Sequence, residues 1–188
     1  MVDYRVDDAF TDADSTNLSA HTIYPTNTPV TAWTVAVGSA QIQGNRVQGM
    51  TNAADNVVVC DSGVADTTIK AVVNEGATAS DIGIVFRYLD ADNYWLLFLG
   101  HQTGPNVFRI YERTGGVFTQ RATAAQTVTT NTDYNLQVVL SGNSMTGTIN
   151  GGNSINYSSS VGASRTKHGL YFVPQGSSAT KADNFRVV

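Results

Sequence analysis

Asp81-Ile82-Gly83-Ile84-Val85-Phe86-Arg87-Tyr88-Leu89, the turn Asp90-Ala91-Asp92-Asn93, and Tyr94-Trp95-Leu96-Leu97-Phe98-Leu99 decide the fold. Two runs rich in β-branched and aromatic residues flank four turn-forming residues, the pattern of a β-hairpin. Side chains alternate across a strand, so Ile82, Ile84, Phe86 and Tyr88 are expected on one face and Gly83, Val85, Arg87 and Leu89 on the other. Both faces are largely apolar, which predicts a central position in a sheet covered on both sides.

Working outward, short segments of the same kind recur along the chain. They are predicted at 33–37, 40–43, 46–49, 56–60, 67–74, 81–89, 94–99, 106–113, 117–122, 134–140, 145–149, 168–173 and 182–188. Gly44-Asn45, Thr114-Gly115-Gly116, Ser141-Gly142-Asn143 and Asn150-Gly151-Gly152 supply turns between them. Val, Ile and Thr number 53, against 13 for Leu, Lys and Glu together, a composition that favours pleated sheet over helix. So many strands exceed what one open sheet holds without splitting, so the expected fold is an all-β, two-sheet antiparallel β-sandwich over a single domain, 1–188. The segment 11–31 is polar and aperiodic, and is expected to form a long surface loop or arm.

Charge narrows the function. The net charge is −4 and the 11 Lys and Arg are scattered, which argues against nucleic acid as a partner. No apolar run reaches the ~20 residues of a membrane span, and Met1-Val-Asp-Tyr-Arg has no basic region leading into an apolar one. The expectation is a protein made in the cytoplasm without a signal peptide or membrane partner. Cys60 stands alone at the end of Val57-Val58-Val59, as a buried structural thiol rather than a nucleophile.

Several stretches resemble the concanavalin A-like, laminin-G-like family of jelly-roll sandwiches. They are Asp7-Asp8-Ala9-Phe10-Thr11-Asp12, Trp33-Thr34-Val35, Ile42-Gln43-Gly44-Asn45-Arg46-Val47, Gly83 to Trp95, Gly169-Leu170 and Ala182-Asp183-Asn184-Phe185-Arg186-Val187. The resemblance implies that the first and last strands pair, with Phe10 and Phe185 closing the core and Asp8 brought towards Asp183. Two such carboxylates need hydrogen bonds, protonation or a bridging cation, for which calcium is the candidate. No metal ligand set can be read from the sequence.

For catalysis, the fold's glucanases carry Glu-x-Asp-x-x-Glu, whereas the two glutamates here, Glu75 and Glu112, match no such pattern. No nucleophile elbow, zinc helix or phosphate loop occurs either, so a non-enzyme is expected and a glycoside hydrolase ranks third. A saccharide site would need an aromatic platform and a few fixed polar groups. Tyr94 and Trp95 are the candidates for the platform, with Arg87, Asn93 and His101 as polar partners, while Trp33 and Tyr88 belong to the core. Arg87, on an apolar strand, must either be paired or line a groove. The Thr-, Asn-, Ser- and Gly-rich composition is similar to that of bacteriophage virion proteins. The leading expectation is therefore a virion surface protein of capsid-decoration or tail-fibre type, attached in many copies to capsid or tail proteins. A lectin-like glycan-binding module is the alternative.

Overall fold

The computed structural model describes residues 4–23, 32–76, 80–100, 107–175 and 180–188. The decisive hairpin is β7 (Asp81–Asp90) with β8 (Asn93–Gly100), Ile84 facing Leu97 and Phe86 facing Trp95. It occupies the middle of a seven-stranded sheet ordered β10 (Val117–Ala125), β9 (Val107–Thr114), β8, β7, β14 (Lys167–Val173), β5 (Asn56–Asp61) and β2 (Thr34–Val37). The second, eight-stranded sheet runs β13 (Ser154–Ser158), β12 (Ser144–Ile149), β11 (Tyr134–Ser141), β6 (Thr67–Asn74), β15 (Lys181–Val187), β4 (Val47–Gly49) and β3 (Ala40–Ile42), with β1 (Val6–Asp8) also paired to β15. Every strand pairing described is antiparallel. The molecule is a two-sheet β-sandwich of jelly-roll type, as expected.

The two sheets bury their facing sides against each other. On β6 and β11 every second residue is buried, Ile69, Ala71 and Val73 beside Leu136, Val138 and Leu140, so the eight-stranded sheet has one dry and one wet face. Residues 81–88 and 94–100 are buried without interruption, because the seven-stranded sheet carries a second apolar cluster on its far side. Gly147 on β12 lets the sheets approach closely, since a Cβ there would collide with Leu97 of β8.

The structure departs from the sequence reading in three places. The strand β13 was not expected, and β1 was expected only from the resemblance, not from the pattern of the chain. The face assignment within β7 fails after Phe86. Arg87 adopts a left-handed φ of 52° at a bulge, so Arg87 turns inward and Tyr88 joins Val85 on the outer face instead of following Ile82, Ile84 and Phe86. Residues 11–23 run as a surface loop but not as a free arm: Leu18 and Ile23 are fully buried, the Ser15 amide donates to the Ile42 carbonyl and the Ile42 amide to the Thr16 carbonyl, along the edge strand β3. Residues 24–31 lie outside the described residues.

The paired termini are as the resemblance implies. β1 and β15 do pair, Asp8 opposite Phe185, and Phe10 and Phe185 are fully buried. Asp8 lies close enough to Asp183 for its charge to help raise the Asp183 pKa, after burial as the main cause. Its carboxylate accepts from Trp33 Nε1 at 2.7 Å and from the Phe10 amide at 2.8 Å, and meets His21 Nε2 at 3.0 Å. Those donors leave it little need of a metal, and among the described residues no group of three His, Cys, Asp or Glu side chains is placed to hold one.

Candidate functional site

The residues singled out from the sequence do not form one site. Trp95 is 1% exposed and lies between the sheets, stacked on Phe86 with its indole N–H donated to the Val161 carbonyl at 3.1 Å. It offers no platform. Arg87 is fully buried beside it; its guanidinium donates to the Ser159 and Gly142 carbonyls, so main-chain oxygens take the place of the expected carboxylate or ligand. Asn93 bridges two turns, donating to Asp90 Oδ1 at 2.7 Å and accepting from the Gly115 amide at 3.2 Å. Tyr94 is on the opposite face of β8 from Trp95 and is itself 1% exposed. His101 lies outside the described residues. Tyr94 alone lies on the face described next.

That face is the outer side of the seven-stranded sheet. Its floor is Val57, Val59, Val85 and Leu96, over which Tyr88, Tyr94, Phe98, Tyr111, Phe118 and Tyr171 close. The rings contact one another in succession: Tyr88 with Tyr94 at 5.9 Å, Tyr94 with Phe118 at 6.0 Å, Phe118 with Tyr111 at 5.8 Å, Tyr111 with Phe98 at 5.4 Å. Phe118 also meets Tyr171 at 6.2 Å. These two rings stand on β10 and β14, four strands apart, a distance of about 19 Å in a flat sheet. Parallel side chains on a flat sheet would not meet across it, so the sheet is curled towards this face, which is concave. Gly83 and Gly169 on β7 and β14 face this side, and a Cβ at either would collide with a neighbouring strand's carbonyl.

A polar latch spans the hollow. Asp55 accepts from Arg113 Nη1 and from the Tyr171 hydroxyl, both at 2.7 Å, while the Arg113 guanidinium lies 4.7 Å from the Phe118 ring centre. Burial raises the Tyr94 and Tyr171 hydroxyls well above the usual phenol range, keeping both neutral. At the β9–β10 edge the packing opens. Among the described aromatic residues only Tyr4, Tyr111, Phe118 and Tyr157 are more than marginally exposed, and of these Tyr111 and Phe118 are in ring contact on one face. Arg109 stands beside them, donating from Nη1 to the Tyr111 hydroxyl at 2.7 Å. Residues 109, 111 and 113 thus share this face at the two-residue period of β9, a signal present in the sequence as Arg-x-Tyr-x-Arg and overlooked beside the more conspicuous Trp95.

No protein-family model matches the chain, and no curated protein matches it in sequence. In structure it is similar to the carbohydrate-binding module CBM66 from Bacillus subtilis, 16% identical with a TM-score of 0.65, covering 81% of this chain and 92% of that one. It is similar to the GH43 BlXynB protein from Bacillus licheniformis, 16% identical with a TM-score of 0.60, over 78% of this chain but 33% of that one. The VIP36 exoplasmic/lumenal domain in its Ca2+/Man3GlcNAc-bound form is 11% identical with a TM-score of 0.57, over 82% and 83%. The likeness is one of fold. Carbohydrate-binding and lectin-type sandwiches share this architecture.

Proposed function

We propose that the protein is a non-catalytic glycan-binding module that seats a saccharide ring on Tyr111 and Phe118, at the open edge of the concave face. The observation that carries this reading is the exposure of that one ring pair on a face whose other rings are buried. A pyranose offers an apolar C–H side to an aromatic ring and hydroxyls to its surroundings, and here Arg109, Gln120 and Thr123 flank the rings on the same face. Two structural neighbours, a carbohydrate-binding module and a Man3GlcNAc-bound domain, support the same class of ligand. They support the glycan reading better than the virion-surface role suggested by composition. A shallow site gains from display in many copies, which is the link to that attachment role.

The non-catalytic part of the proposal rests on Glu112. Its carboxylate is held by Arg121 at 2.7 Å and its side chain is turned away from the concave face, so it is not poised to move a proton there. Titration calorimetry against a panel of neutral and acidic oligosaccharides tests the reading. Tyr111→Ala is expected to weaken binding at least tenfold with the fold intact, and Phe118→Ala to weaken it less. Binding unchanged in both variants would remove the site from this face.

A further inference from the structure

Arginine pairing singles out one residue at this edge. Arg46, Arg113, Arg121 and Arg186 each reach a carboxylate at 2.7 Å. Arg109 does not: no carboxylate pairs with it among the described residues, and its one described hydrogen bond goes to a neutral phenol. Its cross-strand neighbours, Phe98 and Thr123, are uncharged. Its Nε is buried without an acceptor. A half-buried guanidinium loses hydration and gains from a counter-ion, and in a chain of net charge −4 a lone cation of this kind is not a product of surplus base.

The chain leaves the charge without a carboxylate where it also leaves two rings partly exposed. Resting on the proposal that this face binds saccharide, we infer that Arg109 selects an acidic one, a glycan containing a hexuronate. A hexuronate presents both features that the edge accepts: a C–H side that lies on Tyr111 and Phe118, and a planar carboxylate on the ring rim that takes two guanidinium hydrogen bonds. The Tyr111 hydroxyl holds Arg109 in place beforehand, so little side-chain entropy is lost on binding. A tetrahedral sulfate ester shares the charge but not the planar, two-point match.

The test titrates the full chain with tetrasaccharides of galacturonate, glucuronate and mannuronate, with their methyl esters, and with sulfated neutral oligosaccharides of equal length. At least one acid is expected to bind tenfold or more tightly than its own methyl ester, a preference that weakens as salt is raised. Arg109→Gln should abolish that preference and Arg109→Lys restore part of it, with melting temperatures recorded to show that each variant folds. The acid-to-ester comparison on the unaltered protein decides the matter even if a variant does not fold. Acid and ester binding alike, or tighter binding of the sulfated series, would overturn the inference while leaving a glycan site in place. No binding to any saccharide would instead defeat the glycan reading on which it rests, and binding unchanged in both Tyr111→Ala and Phe118→Ala would move the site off this face and overturn the inference with it.

Discussion

The outer faces of the two sheets are made by the same alternation of inward and outward residues, yet one is closed by rings and the other opens into water. On the eight-stranded sheet the outward residues include Lys70, Asn135, Gln137, Thr148 and Arg186. With Asn184, which a left-handed bulge in β15 turns outward, they line a groove of about 440 Å³. On the seven-stranded sheet the corresponding positions are Val, Leu, Phe and Tyr, and the sheet curls over them. An outer face can therefore be as much a core as the space between the sheets. The rings there are committed mainly to one another, and recognition falls to the edge where their packing stops.

The largest effect that would break this contrast is in stability. Phe98→Ala, on an outer face but 7% exposed and edge-on to Tyr111, is expected to cost about 3–5 kcal/mol in denaturant unfolding. Gln137→Ala, on the other outer face, should fall within about 0.5 kcal/mol. Equal costs would mean that the concave face is not packed.

Two buried histidines, one in β14 and one in the loop beside β1, titrate in opposite directions. His168 on β14 accepts from the Arg87 amide through Nδ1 and donates from Nε2 to the Val64 carbonyl, so it is a neutral tautomer. Burial, with the Arg87 charge nearby, lowers its pKa to about 4. Its contribution is complete above the unfolded value of about 6.5 and is lost as pH falls towards 4, a change of about 3 kcal/mol. His21, next to β1, is raised instead, chiefly by its hydrogen bond to Asp8. Its contribution is complete below about 6.5 and is lost as pH rises through the raised value. His168→Gln should flatten the acid limb of the stability profile, and His21→Asn the limb above neutrality. The same limb flattened by both variants would contradict the assignment.

A smaller effect sharpens the contrast in charge. Asp55→Ala removes the acceptor shared by Arg113 and Tyr171 and is expected to cost about 2 kcal/mol. Asp133→Ala, breaking the bidentate pair with Arg46 on the more exposed sheet, should cost about 1 kcal/mol or less. The order of the two values is the reading; reversal would show that the latch does not hold the concave face closed.

The architecture was legible because thirteen strands carry their own pattern, and the continuous burial of β7 and β8 follows from residues that are apolar on both faces. β13 was not legible, since Ser154-Ile155-Asn156-Tyr157-Ser158 offers only two apolar side chains and becomes a strand by pairing with β12. The Arg87 bulge was hidden because alternation read along one strand cannot show an extra residue, which exists only relative to the partners β8 and β14. The sequence rightly marked Arg87 as a residue needing acceptors, but those acceptors are carbonyls from turns far along the chain. Trp95 stands beside a turn, where exposure is common, yet its inward register buries it. Tyr111 is marked in the sequence only by the Arg-x-Tyr-x-Arg alternation and Phe118 by no pattern of its own; the partial exposure of both follows from where the curl of the sheet ends.

The most direct measurement is a two-dimensional amide NMR titration with the tightest-binding oligosaccharide from the panel. The shifts should concentrate at 109–113 and 118–123, with Lys70, Gln137 and Asn184 unmoved. Shifts confined to the polar groove of the eight-stranded sheet, with the β9–β10 edge silent, would contradict the assignment of the site to the concave face.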